Sequence, residues 1–284
     1  MNFKRIQAVF LFAFIVIDIF LVMMTKNNNI QNDNNANESA NSTVIKEMKR
    51  DDISVKKLSN QKKSGYYLSA TQDNNLGSEI VTLKNQDATI DSADTISSTF
   101  RTPIKVDAKH PEKTINQLIK KPGFVLSGNQ YTFNKTDSSK SKLVYDQKAI
   151  DGNFYTDDAR ITFNLNENQR LTGYTQQKLN DVKVLHEKAD VISQERAVIY
   201  LYQYNGIPNN SDVVWAQLGY TKLLHINGKD VYIPTWIIAT KNKSSNHEQI
   251  HRINAFSGAS FKTEQVQNTA QSQQSLESVN NKDE

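Results

Sequence analysis

The chain has 284 residues, with 34 basic and 30 acidic side chains for a formal net charge of +4, and it contains no cysteine. That excludes disulfide staples, thiolate metal sites and cysteine nucleophiles, so a packed core has to carry the stability. The near balance of charge, with no basic tract interleaved with aromatics, gives no sign of nucleic acid as a partner.

The first predicted element is the apolar run 6–24, preceded by Lys4 and Arg5 and interrupted by Asp18. A helix rises about 1.5 Å per residue, so ~20 apolar residues span the ~30 Å hydrocarbon core of a bilayer. Lys4 and Arg5 hold residues 1–5 in the cytoplasm and send everything after Met24 outside. A cleaved signal peptide would have a core of ~7–15 residues and a small-x-small exit. The exit here, Leu21-Val-Met-Met-Thr-Lys26, has no such pair, so the run is expected to be an uncleaved single-pass anchor. With Asp18 inside the membrane, the external part carries 32 basic and 29 acidic side chains.

Residues 25–41 are Asn-rich, aperiodic and poor in apolar groups, as expected of a flexible linker; the Gln- and Ser-rich stretch 263–284 is expected to be a disordered tail. Between them the pattern predicts two small α+β units with antiparallel sheets, 42–121 and 122–262, meeting near Pro122. The first opens with Ser42 capping a helix over 43–51 that carries Val44, Ile45 and Met48 on one face. Short strands are expected at 66–70, 87–91 and 95–100. A helix over 110–121 follows, with Pro111 in its first turn. In the second unit, 130–134, 142–150 and 159–165 alternate apolar with polar, and a longer strand is expected from 171 to about 185. Ser193 caps a helix to Asn205 packed through Ala197, Leu201 and Tyr204, stopped by Gly206 and Pro208. Strands at 213–224, 231–239 and 250–256 close the unit, the first two joined by Asn227-Gly228, a strong hairpin signal.

His247-Glu-Gln-Ile-His251 matches the zinc-protease pattern H-E-x-x-H. The chemistry requires a helix, because only that spacing brings His247 and His251 to one metal with Glu248 beside the bound water. The flanks instead read as polar turn formers upstream and a strand downstream, which would set the two imidazoles ~13 Å apart. The match is therefore read as coincidence. No G-x-S-x-G elbow, S-x-x-K set or Gly-rich phosphate loop occurs either, so neither a catalytic set nor a cofactor is expected. The polar residue of interest is Asp18. An ionisable group in a spanning helix costs ~2.5–3.5 kcal/mol and usually faces a partner or water. Gln7, Leu11, Phe14, Asp18 and Leu21 form a stripe suited to a partner helix. The plainer alternative is a protonated Asp18, or one drawing on interfacial water.

The opening Lys4-Arg-Ile-Gln-Ala-Val-Phe-Leu-Phe-Ala-Phe-Ile-Val-Ile-Asp18-Ile-Phe-Leu21 resembles the anchor of the YycI (WalI) family. Trp215-Ala-Gln-Leu-Gly-Tyr220, Tyr232-Ile-Pro-Thr-Trp-Ile-Ile-Ala239 and Ile253-Asn-Ala-Phe-Ser-Gly258 resemble its external domain in order and spacing. The resemblance implies a fold similar to YycH-type domains. It also implies a non-enzymatic accessory regulator of an essential cell-wall two-component system, associated with YycH and the sensor kinase WalK (YycG) through membrane helices and external domains. The family offers no catalytic residues to carry over. Two other functions compete with that expectation: an external binding module for a wall-derived or small ligand, and a zinc hydrolase using His247 and His251.

Overall fold

The computed structural model describes residues 13–18 and 34–261, except Asn74 and Ala93. Residues 13–18 are helical; the rest of the expected anchor 6–24, the first part of the expected linker and the expected tail 263–284 lie outside the described residues. Among the described residues, no helix is long and apolar enough to cross a membrane. The chain divides into two compact units, one ending at Asp51 and the other beginning at Asp52.

The described part of the first unit is dominated by helix α1, Asn34–Arg50. It begins eight residues before the Ser42 cap that the sequence suggested, so the expected linker 25–41 is helical from Asn34 onward. Ala36, Glu38 and Ala40 are good helix formers, and extending an established helix adds one hydrogen bond for each residue fixed.

The second unit is α+β, with two six-stranded sheets that are antiparallel apart from one short pair. Sheet I has the order β4-β5-β9-β8-β7-β6. Its strands are β4 (Gln86–Ile90), β5 (Ile96–Lys105), β6 (Tyr131–Asn134), β7 (Lys142–Gln147), β8 (Arg160–Leu165) and β9 (Arg170–Gln176). Helix α3, Pro111–Leu118, carries the chain from β5 to the far edge at β6, after which the strands meander back to β9. Its buried Ile115 joins a core that includes Phe100, Tyr145, Phe163 and Tyr174. Tyr145 also donates from its hydroxyl to Asn116 Oδ1 at 3.0 Å, fixing the helix to the sheet. At Gly173, β9 runs so close to β5 that any Cβ would collide with the Ser98 carbonyl.

Sheet II centres on a long hairpin, β12 (Ser211–Ile226) and β13 (Lys229–Asn242). Asn227 and Gly228 make its two-residue turn with φ of 51° and 73°, the left-handed pair that matches strand twist and that favours Asn-Gly. The other edge of β13 takes β14 (Glu248–Asn254) along 235–241 and β3 (Leu68–Gln72) along 230–232. Beyond β3 lies β10 (Leu179–Val184), and β1 (Ser54–Val55) joins β12 in parallel. Helix α4, Gln194–Gln203, packs over β12, β13 and β14. Ser193 Oγ caps it by accepting from Arg196 N at 3.2 Å, and Ala197 and Leu201 are buried. Tyr204, expected to pack inward, is exposed because the helix ends at Gln203 and the chain turns away. The remaining elements are the short pair β2 (Lys63–Gly65) and β11 (Ala189–Val191), and a one-turn helix, α2 (Leu76–Glu79).

Two sequence expectations need correcting. The boundary at residue 122 does not divide this unit: β4 and β5 before it share a sheet with β6–β9 after it, while β3 belongs to the sheet of β12–β14. Likewise, the single strand expected over 171–185 is two strands in different sheets. β9 ends in sheet I at Gln176 and β10 starts in sheet II at Leu179. Two buried glutamine amides stand in for backbone at this crossover. Gln176 bonds Leu126 N and O at 3.1 and 2.6 Å, and Gln147 bonds Leu179 N and O, both at 2.8 Å. Lys178, between them, is buried against Asp73 at 2.9 Å.

Candidate functional site

β7 and β8 pair Asp146 directly with Arg160, so a cross-strand ion pair is built into sheet I. Arg160 Nε donates to Asp146 Oδ1 at 2.8 Å, Nη2 lies 2.9 Å from Asp137 Oδ2, and Nη1 reaches Asp157 Oδ1 at 3.2 Å. The guanidinium also sits 5.2 Å from the Tyr155 ring centroid. Arg160, Asp137 and Asp146 are largely buried, whereas Asp157 is 90% exposed and faces solvent.

The loop after β6 is shaped by one side chain. Asn134 Oδ1 accepts from Thr136 N at 3.0 Å, Thr136 Oγ1 at 2.6 Å and Asp137 N at 3.2 Å, while its Nδ2 donates to Asp146 Oδ2 at 2.5 Å. An asparagine that bonds the backbone two and three residues on is a turn device; here it also delivers Asp137 to Arg160. Tyr155 closes the set, its hydroxyl donating to Asp137 Oδ1 at 2.7 Å.

Burial pushes the Asp146 carboxyl up to about 6, against the pull of Arg160 and of the Asn134 amide. Burial also works against the charge on Arg160, but Asp146 and Asp137 outweigh it and hold the guanidinium above its ordinary value. The Tyr155 hydroxyl is raised by burial first and by Asp137 second.

Beside this cluster lies a cleft of about 270 Å³ between the β6–β7 end of sheet I and the outer edge of β12. Residues 153–155 run along that edge: Tyr220 N donates to Asn153 O at 2.9 Å and Tyr155 N to Tyr220 O at 2.7 Å. The walls include Phe133, Asn153, Tyr155, Asp146 and Gln217, with Lys135 also on the lining.

The site residues suggested by sequence lie elsewhere. His247 precedes β14, and Glu248 and His251 are on it; His251 pairs with Ile238 of β13 and its Nε2 is 2.9 Å from Thr240 Oγ1. The extended strand holds the two imidazoles roughly 13 Å apart, and burial lowers the His251 pKa. Among the described residues no group of three or more His, Cys, Asp or Glu is placed to hold a metal ion. Of the membrane stripe, Phe14 and Asp18 are described, both exposed and one helical turn apart on the same face; Gln7, Leu11 and Leu21 lie outside the described residues. Sequence reasoning missed the Arg160 cluster altogether. The signal that could have found it is an Asp inside the apolar-rich run 142–147 and an Arg at the head of the alternating run 160–165, the strand next to it in sequence.

The sequence profile of the family described as YycI protein matches residues 31–256, which takes in every strand of both sheets. Two solved structures are similar at low identity. One is the crystal structure of an uncharacterized protein from Eubacterium rectale, 8% identical, TM-score 0.45, covering 75% of this chain and 91% of that one. The other is the Bacillus megaterium YpeB C-terminal domain, 11% identical, TM-score 0.34, covering 79% and 95%. The comparison with curated proteins gave no match.

Proposed function

Because the chain belongs to the YycI family, whose members are regulatory accessory proteins of a two-component system, we propose that it regulates a membrane sensor kinase without catalysing a reaction. Residues 6–24 anchor it with the amino terminus inside and the second unit outside. Its partners are the kinase WalK and YycH, met in the membrane and above it. The observation that carries this reading is the family match over 31–256, which takes in every strand of both sheets. The charge asymmetry of the apolar run supports the orientation, and the shared helical face of Phe14 and Asp18 supports a contact stripe.

Co-purification from membranes tests it. The native chain should bring down kinase and YycH, and replacing 6–24 by an unrelated spanning helix should weaken that association. An exchange that leaves both association and regulon output intact reduces the anchor to a tether. Asp18→Leu sharpens the test, since it eases insertion while removing a polar contact: membrane levels should hold while co-purification falls. Stoichiometric zinc in the purified chain, lost on His247→Ala, would overturn the non-catalytic reading.

A further inference from the structure

The cleft beside Arg160 is unexplained by kinase control, and its chemistry is specific. We propose that it binds one ring of a neutral saccharide. The two charged residues that line it, Lys135 and Asp146, balance each other. A charged ligand would leave one unpaired charge in a partly buried site, which is costly. A neutral one meets hydrogen-bonding capacity instead. The side-chain amide of Asn153, the Nε2 of Gln217 and the ammonium of Lys135 have no partner among the described residues. Asp146 supplies an acceptor, and amides offer donor and acceptor together. That set serves hydroxyls, each of which both donates and accepts. Phe133, only partly buried, offers an apolar surface for the C–H face of a ring.

Size points the same way. Ligand clefts run from ~300 to 1,000 Å³, so a cleft of about 270 Å³ suits a single ring, and being open it lets an oligomer extend past it. The polar walls come from different places, β7 and the β6–β7 loop in sheet I and β12 in sheet II. An occupant would therefore bridge the two sheets.

The proposal is independent of the kinase reading and is tested without the kinase. The full chain is placed in lipid nanodiscs, free of glycoside detergent, and titrated by calorimetry with cellotetraose and with chitotetraose. Saturable binding of at least one of them is expected. Asn153→Ala and Gln217→Ala, both at partly exposed positions, should each weaken it ~5–10-fold. Oligogalacturonate, which is anionic, and glucosamine oligomers, which are cationic, should bind more weakly. In the unaltered chain, saturating oligomer should slow amide exchange at 217–219 and 153–155, a readout that does not depend on any variant folding. No saturable binding of either neutral oligomer overturns the proposal. So does binding that survives both substitutions, protection that maps away from the cleft, or tighter binding of a charged oligomer.

Discussion

The two sheets have equal numbers of strands but opposite histories along the chain. Every strand of sheet I comes from residues 86–176, and most of its pairings join neighbours in sequence. Sheet II draws on residues 54–254 and pairs β3 with β13 across most of the unit. Sheet I can therefore be read as a meander closed by one helix, while in sheet II only the β12–β13–β14 run follows a local rule and β1, β3 and β10 join it from far along the chain. The lesson is about where information resides: strand existence is local, strand partnership is not.

The largest expected effect asks whether the two sheets melt as one. Phe163 is fully buried in sheet I, its ring centroid 5.5 Å from that of Tyr145 and 5.5 Å from that of Tyr174. Phe163→Ala should cost ~3–5 kcal/mol and Leu201→Ala, under sheet II, ~2–5 kcal/mol. If the sheets are one cooperative unit, each variant lowers a single calorimetric transition; a second transition appearing in either would separate them.

The crossover that ties the sheets comes next. Asp73→Ala leaves Lys178 buried without its partner and should cost ~3 kcal/mol, whereas Asp73→Leu with Lys178→Met should recover most of that loss. Urea unfolding of the two variants decides it, and equal destabilisation would show that the ion pair is not what matters there.

Asp146 gives a pH signature peculiar to sheet I. Its folded pKa of about 6 lies above the ordinary value of 3.8, so the native state holds this proton more firmly than the unfolded chain does. The associated stability is fully present below about pH 4 and is lost as pH rises through 6. Relative to Asp146→Asn, the native chain should lose up to ~3 kcal/mol between those limits. A difference that stays flat from pH 4 to 6 would mean that Arg160 holds the carboxyl ionised throughout.

The smallest effect is at the hairpin tip of sheet II. Gly228 has a φ of 73° and open space where a Cβ would sit, so Gly228→Ala pays only for the left-handed backbone, ~1–2 kcal/mol. A larger loss would show that the tip sets the register of the whole hairpin.

Much of the secondary structure was legible. Asn227-Gly228, the Ser193 cap, Pro111 and the alternation of 159–165 each encode a local rule that the fold obeys, whereas 142–150 forms a strand only as far as Gln147 and that strand is buried on both faces instead of alternating. What escaped was long-range. Nothing in 171–185 marks Gln177 and Lys178 as the place where the chain leaves one sheet for the other, because polar residues in a strand read as its solvent face. The boundary at Pro122 failed for a related reason: a Pro-Gly stop ends a helix, and here it stands in a loop of sheet I. The candidate cleft was illegible because its walls meet only after β7 and β12 are folded together. Asp137, Asp146 and Arg160 look like ordinary surface charges until strand pairing buries them.

The pairing of β3 with β13 also sets an order of assembly during synthesis. Roughly 160 residues separate them, which at ~5–20 residues per second is about 8–30 s of elongation. Throughout that interval Leu68 and Ala70 of β3, both fully buried at the end, wait without the strand that will cover them, while all of sheet I has already emerged. The later strand β10 reaches β3 first and pairs with it along 68–72. A nascent chain stalled once Val184 has cleared the ribosome should therefore hold a protease-resistant sheet I with β3 and β10 already joined, while β11, helix α4 and β12–β14 are still to add.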